Sequence, residues 1–523
     1  MIRSTKLLLI TLVFLAGLFI RIRTVSDSAA HLDEAYTFFQ VGNLELGNDW
    51  KSVAAEPSLP RWLAVPGFLI GGQGNAFALR SSPLIGWSMM FWAITALLLR
   101  QNINHGAVAA AFFMSFEPTM IGYSLYMKQD MVLAGCIAIM LIAATSKRRV
   151  WSYLAVGLPL ACKWTGGVMP LILAIYWCFK PPPWMKGKNN LKTRIKAIAF
   201  WGVTAICAML ALFVLLNPWF IQEQPGTITG LKDSTAFDTT AATSDECRGA
   251  CAKTVFGSSS VWWFYLPFHL IQLTPLLLGC AIIGLLSIRD KRHNINEIVY
   301  LGVITWGVCF VTYSIVISID ARHYAPVFFP GILLLAGAGF EKVFASEILA
   351  SILTINDSEV KMLAVSIGFT SIIFSSIAWA GSLAPEYREW VWYGDEDPYG
   401  GSTRTMWEER IVMDALNVQI ENYTEQHPDD PPPRLCTTFI PHQVWFSHPS
   451  AQRNYAMDSI ERNWGNCEFI IYSKYWVNDN LQHEGVKLLY DIWHGAEDDR
   501  FETIRPKPCQ EIECHLMAFK VTK

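Results

Sequence analysis

Hydrophobic positions in this chain come in long unbroken runs, without the short alternating patterns of a soluble domain. The runs fall at residues 5–22, 83–99, 106–123, 131–145, 151–161, 164–179, 196–216, 266–287, 297–318, 325–340 and 361–383. Most are near the length at which a helix crosses about 30 Å of hydrocarbon, and together they predict about eleven transmembrane helices. The fifth and sixth runs are short, and one kinked segment is the alternative to two separate ones. The first run begins among the basic residues Arg3 and Lys6, as a signal peptide would. It is long, however, is followed by Arg21 and Arg23, and lacks an obvious small-residue cleavage site, so it reads as the first span.

Lys and Arg between the runs set an orientation. With the N-terminus in the cytoplasm, the segments 1–5, 100–105, 147–149, 180–196 and 289–292 are all basic; only 341–361 is not clearly so. That pattern follows the positive-inside rule. The segments 24–82, 124–130, 217–265, 319–324 and everything after 383 then lie outside. The alternation holds only if 151–179 crosses twice, which favours two segments there.

Composition agrees. Hydrophobic residues make up 52% of the 523 and charged residues 16%, with a mean hydropathy of +0.29; a soluble domain carries about 25% charge. The 21 Trp and 17 Tyr suit extended membrane–water boundaries. A net charge of −3 gives no sign of nucleic-acid binding. The expected fold class is therefore an α-helical polytopic membrane protein with a C-terminal α/β extracytoplasmic domain. Residues 1–384 form the membrane module, with outer loops 24–82 and 217–265, and residues 385–523 form the soluble domain.

The outer segments are not low in complexity. Residues 31–40 look helical, and 63–70 are apolar but too short to span, which suggests helices lying along the membrane surface. The loop 217–265 is rich in Thr and Ser and ends in an aromatic cluster, 261–267. In the tail, strand-like runs at 435–440, 468–472 and 515–521 alternate with helix-like stretches such as 405–423, an α/β pattern. Cys247, Cys251, Cys436, Cys467, Cys509 and Cys514 all fall on the outer side, where disulfides survive, and are disulfide candidates. Half of a zinc site is the alternative for Cys247 and Cys251, although no His stands beside them. Asn422 begins a glycosylation sequon.

Four charged groups stand out. His31, Asp33, Glu34 and Tyr36 follow the first span; adjacent carboxylates there would activate a nucleophile or hold a divalent metal, or they are a solvated helix start. Tyr126, Lys128 and Asp130 make a polar turn between the third and fourth spans, which taken alone reads as a turn with Asp130 as a helix N-cap. Lys163, beside Trp164, interrupts apolar sequence and would snorkel or contact a phosphate. Arg322, with Tyr324, stands at the mouth of the tenth span, and Arg61 and Arg80 sit ahead of the second. All lie at the predicted outer face. Carboxylates among several cations at one membrane surface suit a reaction in which a lipid-linked phosphate leaves and a carboxylate takes the proton of an incoming hydroxyl or amine.

The order of these motifs resembles the GT-C glycosyltransferases, specifically the protein O-mannosyltransferase and aminoarabinose-transferase group. The matching residues are Asp33-Glu34, the segment from Glu56 to Trp62, Arg80, Tyr126 to Asp130, Lys163-Trp164-Thr165-Gly166, the aromatic run 262–267 with Thr274-Pro275, and Arg322-His323-Tyr324-Ala325-Pro326. The resemblance covers about residues 1–385. Glu56 stands where the mannosyltransferases carry His, and Arg61 where they carry Lys. The MIR-type β-trefoil module of eukaryotic members is not evident.

The resemblance implies an inverting membrane glycosyltransferase. It would move mannose or a related sugar from a polyprenyl or dolichyl phosphate to a protein, glycan or lipid acceptor. Asp33 would be the base and Glu34 its support; Arg80, Lys163, Arg322 and Arg61 would bind the donor phosphate. Asp130, Lys128, Tyr324, His31 and Glu56 would be supporting residues. A divalent metal is left open, with Glu34 and Glu56 as its candidate ligands. The small tail favours a prokaryotic inner membrane over the endoplasmic reticulum. The alternatives are a multi-pass transporter, for which the sequence shows no inverted repeat, or a non-catalytic membrane assembly protein.

Overall fold

The computed structural model describes residues 3–24, 59–71, 76–125, 129–185, 190–217, 273–290, 292–316, 322–344, 403–437, 456–459, 466–473, 484–507 and 516–522. The apolar runs become helices: α1 Arg3–Thr24, α2 Leu59–Gly71, α3 Ala76–Arg100, α4 Asn104–Phe116, α5 Pro118–Tyr123, α6 Gln129–Ile142, α7 Arg149–Cys162, α8 Leu171–Phe179, α9 Leu191–Leu216, α10 Pro275–Leu286, α11 His293–Phe310 and α12 Phe329–Phe344. Among the described residues five helices are long and apolar enough to cross a membrane: Thr5–Arg23, Arg80–Arg100, Leu191–Leu216, Asn294–Tyr313 and Ala325–Phe344. Shorter apolar helices span Gln129–Thr145, Trp164–Phe179 and Pro275–Arg289. The predicted eleventh run, 361–383, and the predicted surface helix 31–40 lie outside the described residues. The apolar stretch 63–70 is part of α2, which packs on α3.

Helix α3 packs most extensively on α6, at a crossing built on two glycines. A Cβ on Gly86 would lie 2.6 Å from the Val132 Cα, and one on Gly135 would lie 2.4 Å from the Gly86 carbonyl oxygen. Small residues permit this backbone contact where apolar helices have no hydrophobic drive to associate in lipid.

The bundle's helix breaks leave backbone groups without water, and side chains from other helices answer them. Glu117 precedes Pro118 and has ψ 119°, so the helical run 104–123 divides there into α4 and α5. Pro118 has no N–H to offer the Met114 carbonyl. Arg21 of α1 supplies donors instead. Its Nη2 donates to the Met114 carbonyl at 2.8 Å, and its Nη1 to the carbonyls of Ser115 and Gly17, both at 3.0 Å. Its Nε donates to Ser124 Oγ at 2.6 Å. The guanidinium lies 3.9 Å from the Trp87 ring centroid, and Trp87 Nε1 also donates to the Met114 carbonyl, at 2.8 Å. Arg21, a flanking cation in the sequence, is therefore fully buried. Its fork closes the end of α4, and five N–H donors on one rigid plane suit it to that task.

Carboxylates do the reverse work at helix N-termini, where unpaired N–H groups and the helix dipole favour negative charge. Glu117 accepts from the Thr274 N–H at 2.9 Å and the Thr274 hydroxyl at 2.7 Å, holding the start of α10. At the other end of the bundle, Glu341 of α12 accepts from the N–H groups of His105 and Gly106 at 2.7 and 3.0 Å, holding the start of α4. Asp290, in the turn before α11, accepts from Lys342 and from the Arg292 N–H. Burial alone would raise the Asp290 carboxyl, but these bonds hold it down at about 2.

The tail forms a five-stranded sheet from β1 Arg434–Thr437, β2 Ala456–Ser459, β3 Phe469–Ser473, β4 Phe501–Ile504 and β5 Leu516–Val521, in the order β2-β1-β3-β5-β4. Strands β2, β1 and β3 are parallel, and β5 is antiparallel to both β3 and β4. Alternation sorts the two faces. Phe469 and Ile471 pack with Val412, Leu416 and Ile420 of α13 (Thr403–Gln426), whereas Ile470 packs with Val486, Leu489 and Ile492 of α14 (Glu484–Trp493). The α/β pattern expected for the tail is present. Strands β2 and β4 and helix α14 are elements that the sequence pattern does not predict. Cys436 and Cys467 form a disulfide with a Cα–Cα distance of 5.8 Å, joining β1 to the start of β3. Cys247, Cys251, Cys509 and Cys514 lie outside the described residues.

Two outcomes are expected. Arg21→Met should lower stability by on the order of 2–4 kcal/mol through orphaned carbonyls, and Arg21→Lys should restore only part of it. Thermal unfolding in detergent reads both, and a wild-type melting temperature for Arg21→Met would remove the capping role. Replacing Cys436 and Cys467, which are 31 residues apart, by Ala should cost about 3–4 kcal/mol in the tail. Limited proteolysis of the double variant should then cut within the sheet under conditions in which wild type survives.

Candidate functional site

The breaks that demand capping also gather charge at one end of the bundle. Asp130 lies in the first turn of α6, where the helix dipole favours a carboxylate. Lys163 follows the last residue of α7 in extended conformation, φ −155° and ψ 146°, and a cation is favoured at that helix end. Lys163 Nζ donates to Asp130 Oδ1 at 2.8 Å. Asp130 is 1% exposed and the Lys163 side chain 17%. Lys163 thus does not snorkel; it points into a partner. Asp130 is not an N-cap, since Gln129 precedes it in the helix. Its Oδ2 is buried with no hydrogen-bond partner among the described residues.

The chain reverses sharply after Lys163. The Gly166 N–H donates to the Lys163 carbonyl at 2.8 Å, closing a short 3₁₀ turn, Trp164–Val168. A Cβ on Gly166 would lie 1.9 Å from the Pro159 carbonyl oxygen, so only glycine lets the turn fold back on α7. Runs 151–161 and 164–179 are thereby two separate segments. The turn is fixed from both sides. Thr165 Oγ1 and the Tyr313 hydroxyl share a 2.7 Å hydrogen bond, and Trp164 packs on Phe213 with ring centroids 5.0 Å apart. Cys162 Sγ donates to the Gln129 carbonyl at 3.4 Å, tying the ends of α7 and α6 together beside the ion pair.

Other predicted cations converge on this end. Arg61 begins α2 and Arg80 begins α3, and each is buried at 1% exposure. Trp62, next to Arg61, donates from Nε1 to the Leu216 carbonyl at 2.8 Å, which brings α2 to the end of α9 near Phe213 and Trp164. Arg322 and Tyr324 lie in a 3₁₀ segment, Arg322–Phe328, whose backbone packs on α6, the helix that carries Asp130. His31, Asp33, Glu34, Glu56 and Lys128 lie outside the described residues. Among the described residues no three His, Cys, Asp or Glu side chains stand close enough to hold a metal ion.

Glu117 is not evident as a functional residue in the sequence; its signal is a carboxylate before proline within an apolar run, and its partner is Thr274 of the Thr274-Pro275 motif. A bundle end with buried guanidiniums and a paired ammonium is suited to an anion of high charge density, because cations in a low-dielectric site keep most of their strength.

The backbone places this arrangement among known proteins. The crystal structure of ArnT from Cupriavidus metallidurans bound to undecaprenyl phosphate matches over 99% of this chain and 98% of its own, with a TM-score of 0.58 at 15% identity. The apo form of the same protein gives the same coverage, a TM-score of 0.56 and 13% identity. The archaeal oligosaccharyltransferase AglB from Archaeoglobus fulgidus, in complex with an inhibitory peptide and a dolichol-phosphate, matches over 92% of this chain and 72% of its own, with a TM-score of 0.51 at 12% identity. This chain has the GT-C fold. No family model and no curated protein sequence matches it. At these identities the GT-C likeness is carried by the path of the backbone and not by residue identity.

The ion pair has its own test. Lys163→Met or Asp130→Asn alone should cost about 3–5 kcal/mol by stranding a buried charge or dipole, and the double variant should cost clearly less than the sum. A double-mutant cycle by thermal unfolding reads this, and strictly additive losses would mean that the pair carries no coupling.

Proposed function

We propose that this chain is a membrane glycosyltransferase that moves a sugar from a polyprenyl phosphate to an acceptor, with inversion at the sugar carbon. The observation that carries the reading is the Asp130–Lys163 pair at the bundle end where Arg61 and Arg80 are buried, in a fold whose relative from Cupriavidus metallidurans is seen with undecaprenyl phosphate.

The chemistry asks for few parts. An acceptor hydroxyl or amine attacks the anomeric carbon, the bond from that carbon to the phosphate oxygen breaks, and the polyprenyl phosphate leaves with the electron pair. Negative charge develops on the leaving phosphate. Preorganised cations answer it without reorganisation, and loss of one such group costs about 10²–10³ in rate. Lys163 is the cation best placed for this. Asp130 fixes its position, the Gly166 turn fixes its backbone, and Arg80, Arg61 and Arg322 share the load. Asp33, supported by Glu34, takes the acceptor's proton; those two roles rest on the motif resemblance. Residues 1–384 form the catalytic module and 385–523 an outer domain, with the site on the extracytoplasmic face of a prokaryotic inner membrane. Mannose or a related sugar is the proposed cargo, and protein, glycan and lipid are the acceptors to be tested.

Purified protein offered a panel of synthetic polyprenyl-phosphate sugars should transfer or hydrolyse one of them. Asp33→Asn should lower that rate by about 10²–10⁴, and Arg80→Gln by about 10²–10³, each in folded protein. A folded wild type that turns over no donor, or a fully active Asp33→Asn, would overturn the assignment.

A further inference from the structure

The end of the bundle opposite Lys163 carries a second concentration of cations, around a cavity of about 460 Å³ between the last turns of α3 and α6 and the first turns of α7. Small-molecule sites span about 300–1,000 Å³. Arg100, Lys147 and Arg148 line it, with Ile139, Ile142 and Trp151 as its apolar wall. Among the described residues no carboxylate lines it. The three cations are exposed, and no ion pair or side-chain hydrogen bond engages them among the described residues.

Neighbouring charges show what a structural role looks like here. Arg149, the next residue, lies over the rings of Tyr153, Trp184 and Phe200. Among the described residues the carboxylates near this end are engaged elsewhere: Asp290 with Lys342 and Arg292, Glu341 with His105, and Glu297 with Lys180. Among the described residues, Arg100, Lys147 and Arg148 therefore stand around one opening without a carboxylate partner. Beside it, Val150, Trp151 and Leu154 present an apolar strip, with Trp151 55% exposed. A membrane interface is where such a Trp settles.

The geometry points to a binding site for one anionic phospholipid, its headgroup phosphate among Arg100, Lys147 and Arg148 and its acyl chains along the strip of α7. A free phosphate would use the cations but not the strip, and a zwitterionic lipid would use the strip but bring its own cation to the three. Helix α7 has 14 residues, a length of about 21 Å, and separates this site from Lys163 at its far end. By loop charge it faces the cytoplasmic leaflet, so the proposed lipid is distinct from any donor held at the other end.

Native mass spectrometry of the full chain in detergent, titrated with phosphatidylglycerol, phosphatidylcholine or inorganic phosphate, tests this. Wild type should retain phosphatidylglycerol in preference to phosphatidylcholine, and inorganic phosphate should not displace it. Each cation replaced by Gln should weaken retention about five-fold, and all three on the order of a hundredfold. Lys192→Gln with Lys196→Gln, at the same end on α9, should leave retention unchanged. Equal retention of the two lipids by wild type would overturn the proposal without recourse to any variant. So would displacement by inorganic phosphate, or a triple variant that binds phosphatidylglycerol as wild type does.

Discussion

Inside an apolar bundle, a backbone group or charge that loses its partner has no water to replace it, and each such loss costs kilocalories. Wherever a helix of this chain breaks, another helix must therefore deliver the missing donor or acceptor. Arg21 reaches the carbonyls that Pro118 leaves open; Glu117 reaches the start of α10, and Glu341 the start of α4. These bonds join residues far apart in sequence. They fix which helix ends meet, and so where the chain's remaining charges are held.

That constraint accounts for the site. Lys163 exists as a half-buried, paired cation because α7 must end there: Gly166 folds the chain onto Pro159, and the first turn of α6 supplies Asp130 at 2.8 Å. The pair is a product of two helix ends meeting, each with the charge that its dipole favours. Thr165, bonded to Tyr313, and Trp164, packed on Phe213, hold the same turn against α9 and the end of α11. A cation fixed this way loses little entropy when an anion arrives, which is the condition for stabilising a developing charge.

The two ends of the bundle divide the chain's charge by different rules. At the Lys163 end cations are buried and tied to the fold. At the Arg100 end the described carboxylates are already paired, and Arg100, Lys147 and Arg148 are exposed around a cavity. The first arrangement suits recognition of one phosphate in a fixed pose. The second suits a headgroup held by charge at the membrane surface, where each cation adds a modest share.

Hydropathy by itself determined that the chain is helical and membrane-embedded, because apolar length is a one-dimensional property. Strand-like and helix-like runs in the tail likewise point to the strands near 435, 469 and 516 and the helix near 405–423. Strands β2 and β4, four residues each, carry too little pattern to stand out. Lys163, Arg80 and Asp130 were legible as candidates because charge in or beside apolar sequence is conspicuous. Their pairing was not legible, and Arg21 read as a flank and Glu117 as nothing at all. Only the tertiary structure decided which charges are partners and which cysteines join. Those choices depend on segments meeting across 31 to 236 residues of sequence, a distance over which periodicity and spacing carry no information.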